Sequence, residues 1–285
     1  MRMSSLHWRI REPLLAFARL LFHVGVRASP HIAGKLRPLS EKSGTVVLTR
    51  GSREEAPPPH LWLGYADTAE QFLADGRANM ASVLGLLAAN DVPVPRVVLD
   101  LGCGGGRMVR FFPRSEDSEI WGADVHAEQI VWCQRNLPGI NFVTVTTAPH
   151  LPFADDHFDF VMCASVFSHN ADLADALLLE IRRVLKPGGH VYLTLQDKVS
   201  VREMLSTYVD EVQPSTVAQL RRLERQGRIA TADMFWFDCD PASQVFYDRE
   251  YVTGKWAAWM DVVAYEECFH NWQSAMVLTK RGGTD

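Results

Sequence analysis

The sequence predicts an α/β fold: a seven-stranded, mostly parallel sheet with an antiparallel last strand and helices on both faces. Three observations carry this. Between Arg96 and Gln196, short apolar runs of strand character alternate with helical stretches. Strands separated by helices of about 10–15 residues form right-handed βαβ units in a parallel sheet. The last two strand runs are joined by only a few residues, too few for a parallel crossover, so they form a hairpin. A glycine-rich turn follows the first strand directly, at the carboxyl edge where parallel sheets bind ligands. Of the 285 residues, 47% are hydrophobic and 22% charged, with net charge −5. That is ordinary for a globular chain and excludes disorder, collagen or a coiled coil as a description of the whole.

The basic charge is concentrated at the start. Residues 1–50 hold nine Lys/Arg and two acids, Glu12 and Glu41, leaving +7 there and −12 in the remainder. From Pro13 to Val26 the apolar residues Leu14, Phe17, Ala18, Leu21 and Phe22 keep helical spacing, with Glu12, Arg19, His23 and Arg27 on another face. The run is too short, and too interrupted by Arg19, to span a bilayer. Two readings stay open for this N-terminal helical arm: a helix on an anionic membrane surface, or a helix packed on its own domain or on a dimer partner. An Arg-rich, acid-poor start also fits an organelle transit peptide. Pro57-Pro58-Pro59 then forms a stiff linker. The expected organisation is therefore an arm and linker over 1–60 and a folded domain over 61–285, with 198–259 as a cap.

Within the domain, Arg96–Leu101 is the first strand, Glu119–Ala123 the second, Asn141–Val145 the third, Phe158–Ala164 the fourth and His190–Leu195 the fifth. Glu128–Asn136 is helical, with Ile130, Val131 and Cys133 on its apolar side. Ala171–Leu185 is a second helix, stopped by Pro187-Gly188-Gly189. Met260–Glu266 and Gln273–Thr279 form the closing hairpin. Between them and the fifth strand lies a helical cap. A capping box of Ser200 and Glu203 starts its first helix, Pro214-Ser215 opens its second, and a short strand is open at Phe235–Asp238. Five scattered cysteines, never spaced CxxC, read as reduced thiols of a cytoplasmic protein.

The turn Asp100-Leu101-Gly102-Cys103-Gly104-Gly105-Gly106 excludes two nucleotide motifs. GxGxxG from Gly102 needs glycine where Arg107 stands, and from Gly104 where Val109 stands; GxxxxGK[ST] is absent. The pattern that fits is DxGxGxG after an apolar strand. With Asp124 closing the second strand, Leu151-Pro152-Phe153 before Phe158-Asp159, and Arg183-Val184-Leu185-Lys186-Pro187-Gly188-Gly189 before the fifth strand, residues 61–281 resemble the class I, Rossmann-like S-adenosylmethionine-dependent methyltransferase family. The resemblance implies that S-adenosyl-L-methionine is the cofactor and assigns residues to it. Gly102, Cys103 and Gly104 carry the methionine moiety, Asp100 orders the turn and approaches the ligand amino group, and Asp124 takes both ribose hydroxyls. Val125 packs on the adenine face, Ala164 closes the site from the fourth strand, and Thr147 or Ala148 stands where the family often has Asp.

The implied reaction is methyl transfer to a small-molecule, sugar or lipid acceptor, at oxygen. A sulfonium methyl is already an electrophile, so the protein must align the acceptor and exclude water; a hydroxyl acceptor also needs its proton removed. Candidate bases at the sheet edge are His169, whose imidazole is available near pH 7, then His270 and Asp197. His126 and His150 fall on the cofactor side or the surface. Tyr65, Trp236, Phe237, Trp256 and Trp272 are candidates for an apolar acceptor wall. No metal is expected, because His169-Asn170 replaces the Asp-Asn pair of catechol enzymes of this fold. Nucleic acid is not an expected partner: Ala164-Ser165-Val166-Phe167 is not [ND]PP[YF], and the main domain is acidic. A non-catalytic cofactor-binding scaffold remains the alternative, and contact of residues 1–30 with a membrane periphery remains open.

Overall fold

The computed structural model describes residues 55–282 except 172, 240 and 241. The predicted arm helix over 13–26 lies outside the described residues, as does most of the 1–60 segment. The first long element is α1 (Ala69–Ala89), capped by the Thr68 hydroxyl accepting from Gln71 N. Its buried residues Phe72, Gly76, Met80, Val83 and Leu87 recur every three to four positions, the spacing of one helix face. The sequence reading assigned no element here, although Thr68-x-x-Gln71 ahead of a periodic run is a helix-start signal.

The chain continues as β1 (Val97–Leu101), β2 (Glu119–Asp124), α2 (Ala127–Asn136), β3 (Asn141–Thr144), β4 (Phe158–Cys163), α3 (Ala174–Val184) and β5 (Leu185–Asp197). The cap comprises α4 (Lys198–Leu205), α5 (Pro214–Arg225), α6 (Arg228–Thr231), β6 (Met234–Cys239), β7 (Ala242–Tyr247) and α7 (Arg249–Trp256), and the hairpin β8 (Asp261–His270) and β9 (Gln273–Thr279) closes the fold. The main sheet has seven strands in the order β3-β2-β1-β4-β5-β9-β8. The first five are mutually parallel, and β9 is antiparallel to both its neighbours.

Side chains alternate between the two faces, as the pleat requires. Val98, Phe160, Met162, Tyr192 and Val277 pack with Met80, Val83 and Leu87 of α1 and Ile130 of α2. Leu99, Val161, Leu193 and Leu278 pack with Leu178 and Ile181 of α3 and Trp256 of α7. Two buried faces explain why these strands read as continuous apolar runs rather than alternating ones.

Three features differ from the sequence reading. The cap is not wholly helical: β6 and β7 form an antiparallel hairpin whose β7 runs parallel to the end of β5 through Gln196↔Phe246 and Asp197↔Tyr247. Phe235 and Phe237 both stack on Phe246, and such aromatic packing favours strand pairing. The capping box lies one turn earlier, with Asp197 as N-cap and Ser200 as its partner. Finally, β8 continues to His270 through a bulge around Cys268, leaving Asn271 and Trp272 as the turn. Among the described residues, no helix is long and apolar enough to cross a membrane.

Candidate active site

At the carboxyl end of β1 the chain turns through Gly102 (φ +82°) and Gly104 (φ +53°), a left-handed backbone that glycine adopts without steric cost. A Cβ on Gly102 would stand 2.5 Å from Val166 Cγ2. The turn is pinned to β2 by Gly102 N and Cys103 N donating to Ala123 O, at 2.8 and 3.1 Å. Asp124 at the end of β2 completes it. One carboxylate oxygen accepts from Gly104 N (2.7 Å) and the other from His126 N (2.8 Å). Each oxygen keeps a further lone pair.

Asp100 lies beneath the turn, 3% exposed. Burial, reinforced by the neighbouring Asp124 charge, raises its pKa to about 7; the Arg107 charge and the Val109 backbone N–H pull the other way. Gln129 reaches in from α2. Its Nε2 donates to Leu61 O (2.7 Å), while its buried Oε1 has no partner. Gln129 and Asp100 line the same small cavity with Gly102, Cys103 and Gly104. The cavity therefore holds a carboxyl group and an unpaired carbonyl oxygen, a pair of acceptors complementary to an ammonium group.

Residues 57–65 roof this cavity. Pro57 packs over Gly105, and its carbonyl accepts from Trp62 Nε1 at 2.6 Å. The Trp62 ring stacks on Phe72. The buried Arg110 ties roof to turn, donating to Gly105 O, Gly106 O and Glu55 O, each at 2.7 Å. Burial lowers its pKa to about 10. The polyproline segment thus packs on the glycine turn, and among the described residues such contacts are made from Glu55 onward, ahead of Leu61. The cavity has a volume of about 60 Å³ and is open on one side.

A larger cleft of about 550 Å³ adjoins the small cavity, and Tyr65, Arg107, Met108, Ala164 and Ser165 line both. The Arg107 guanidinium stands over the Tyr65 ring, 5.0 Å from its centroid. Ser165 follows β4 with φ +57°, a conformation that costs a non-glycine residue about 1 kcal/mol or more. Hydrogen bonds hold it: Ser165 N donates to Thr194 Oγ1 (2.7 Å), and Ser165 Oγ and Thr194 Oγ1 both donate to Gln273 Oε1, at 3.1 and 2.6 Å. His270 lines the cleft at the end of β8. Its Nε2 is buried without a partner, and burial together with Arg107 lowers its pKa to about 4.

The structure separates the three candidate bases. His270 is in the cleft. His169 is not: it is the exposed last residue of a 3-10 turn whose Phe167 and Ser168 are buried, and its Nδ1 is 2.7 Å from Ser243 O on β7. Asp197 is not either. It is buried as the cap of α4, accepting from Ser200 N (2.8 Å), Tyr265 Oη (2.6 Å) and Ser274 Oγ (2.6 Å). The expected apolar acceptor wall is also corrected. Tyr65 and Trp272 line the cleft, but Trp256 packs in the core against Phe167. Phe237 packs on Phe246 and Trp236 is exposed.

The cofactor candidates fall along one edge of the sheet. Val125 follows β2 and is 46% exposed, Thr147 and Ala148 follow β3 and are exposed, and Ala164 follows β4 at the junction of the two cavities. Cys103 is buried, which pushes its thiol pKa well up and leaves it without thiolate character. His126 contributes its backbone N–H, and His150 is exposed beside Glu180. Sequence reasoning missed Gln129, Arg107 and the ties that join Ser165, at the fourth-strand exit, to Thr194 and Gln273. Only Arg107 carried a signal, as a charge directly after the glycine run. Among the described residues, no three His, Cys, Asp or Glu side chains gather as a metal site.

Comparison with known proteins places these features in context. Residues 99–193 match the family model described as a methyltransferase domain. The fatty-acid O-methyltransferase of Mycolicibacterium smegmatis is 31% identical over 159 residues, covering 54% of each chain. The phthiotriol/phenolphthiotriol dimycocerosates methyltransferase 1 of Mycobacterium ulcerans is 37% identical over 100 residues, covering 34% of this chain and 36% of that protein. The chain thus spans about half or less of the length of these curated relatives. Among solved structures, the 1,6-didemethyltoxoflavin-N1-methyltransferase of Burkholderia thailandensis, with S-adenosylhomocysteine bound, shares the fold. Its TM-score is 0.50 at 16% identity, over 79% of this chain and 92% of that one.

Proposed function

Because its central domain belongs to the class I S-adenosylmethionine-dependent methyltransferase family, we propose that this chain transfers the methyl group of S-adenosylmethionine to an oxygen of a small-molecule or lipid acceptor. The observation that carries this reading is the pair of buried acceptors, Asp100 and the unpartnered Gln129 Oε1, set under a bare glycine turn one strand from Asp124. The residues present suit the cofactor. Gly102 and Gly104 let the methionine tail lie on the main chain, Asp100 and Gln129 receive its ammonium group, and the remaining Asp124 lone pairs receive the ribose diol. Val125, Thr147, Ala148 and Ala164 border the adenosine side along the sheet edge. Cys103 contributes main chain to the turn.

When bound, the cofactor would supply a sulfonium methyl, an electrophile that needs no further activation, and His270 or water would take the proton of an acceptor hydroxyl. The protein's task is alignment and exclusion of water, worth roughly 7 kcal/mol or more at best. His270 suits the hydroxyl side: it borders the cleft, its Nε2 has no partner, and with a pKa of about 4 its imidazole is neutral near pH 7. Oxygen as the target is supported by the name of the fatty-acid relative and by the absence of the [ND]PP[YF] motif after β4.

The test is transfer of a tritiated methyl group from the cofactor to a panel of hydroxyl, carboxyl and amine acceptors. The expected product is an ether or ester; label appearing only on nitrogen refutes the assignment to oxygen. A His270→Ala protein should bind S-adenosylhomocysteine like the parent and lose about 10²-fold or more in kcat.

A further inference from the structure

The cleft beyond the glycine turn is polar in a way that selects an acceptor. Three carboxylic side chains, Asp67, Asp75 and Glu211, and three amides, Gln71, Asn79 and Asn271, border its volume of about 550 Å³. A fourth amide, Gln273, is committed at its oxygen to two hydroxyl donors, Ser165 and Thr194, so its N–H₂ is the group it offers. His270 adds an acceptor nitrogen that is buried and unpartnered. Among the described residues the one Lys or Arg bordering the cleft, Arg107, already lies over the Tyr65 ring with Asp75 and Asp100 near it. The flat apolar surfaces are the rings of Tyr65 and Trp272.

An alkyl chain in this space would strip water from these polar groups and return no hydrogen bonds, at about 1–3 kcal/mol for each group left unpaired. An anionic acceptor would meet three acids against one engaged guanidinium. A hydroxylated ring satisfies the lining. Its hydroxyls donate to the carboxylates and to His270 Nε2 and accept from the Gln273 amide, while its C–H face packs on an aromatic ring.

We propose that the acceptor is a hydroxyl-rich, non-anionic molecule, a sugar or amino-sugar unit, bound between the Asp67, Asp75 and Glu211 side chains on one side and Gln273 and His270 on the other. This rests on the methyl-transfer reading. One hydroxyl would become the methyl ether, its proton passing to His270 or water as the carbon–oxygen bond forms, with sulfur keeping the electron pair of the broken carbon–sulfur bond.

The experiment uses the full chain, tritiated-methyl cofactor and three probe sets: alkyl glycosides, aminoglycosides and C16–C18 fatty acids. Binding of each set to the protein saturated with S-adenosylhomocysteine is measured in parallel by calorimetry. Label is expected in a glycoside or aminoglycoside, with Asp75→Asn and Glu211→Gln each lowering kcat/KM about tenfold or more through KM. S-adenosylhomocysteine affinity should be the same in both variants as in the parent. Charged aminoglycosides outcompeting neutral glycosides, or the reverse, identifies which source supplies the hydroxylated ring. Label only in fatty acids overturns the inference and leaves methyl transfer standing. No binding and no labelling of either sugar set, with S-adenosylhomocysteine bound, also overturns it. No heat with S-adenosylhomocysteine brings down the methyl-transfer reading instead.

Discussion

Buried beneath the glycine turn with Asp124 for a neighbour, the Asp100 carboxyl holds its proton up to about pH 7. The unfolded chain releases that proton near pH 4. Between these values the folded state binds more protons, so this residue's contribution to stability falls as pH climbs from about 4 to about 7. A bound ammonium group favours the ionised carboxylate, so affinity for S-adenosylhomocysteine should rise from pH 6 to pH 8. Asp100→Asn keeps the shape and removes the titration. Calorimetry across that range should then show a flattened profile and an affinity about tenfold lower at pH 8. An unchanged slope would show that another group titrates.

Among the elements, α1 and the β6–β7 hairpin were the least legible in the sequence. The five parallel strands and the glycine turn were readable because a strand buried on both faces is a plain apolar run and a left-handed turn calls for glycine. Of the hairpin only a short strand at Phe235–Asp238, within β6, was open to reading; β7 was not, since the aromatic side chains gain their pairing only from Phe246 across the ladder. The same hairpin sets the position of His169. His169 follows β4 at the correct sheet edge, yet it is held by Ser243 of β7 and stays out of the cleft. Asp197 looked like a free acid at a strand end because nothing in its neighbours announces Tyr265 and Ser274, some 70 residues on. Packing of α1 against the site is testable at Gly76, where a Cβ would stand 2.2 Å from the backbone oxygen of Arg107. Gly76→Ala should destabilise the protein by about 1–3 kcal/mol, read by urea unfolding, although alanine is the better helix former. A gain in stability would mean that α1 does not press on this turn.

At the scale of the whole molecule, the sheet brings the ends of β1, β2 and β4 to one edge. The chain from Glu55 to Tyr65 folds over that edge, and the closing hairpin delivers His270 and Gln273 from the far end of the sequence. The central claim is that the Gly102–Gly104 main chain and the Asp100, Gln129 and Asp124 side chains form one binding site for the cofactor. The most direct measurement is calorimetric titration with S-adenosylhomocysteine at pH 8 of the parent and of Asp124→Ala. The account predicts saturable one-to-one binding by the parent and at least about tenfold weaker binding by the variant. Absence of binding by the parent, or equal affinity in the two proteins, contradicts it.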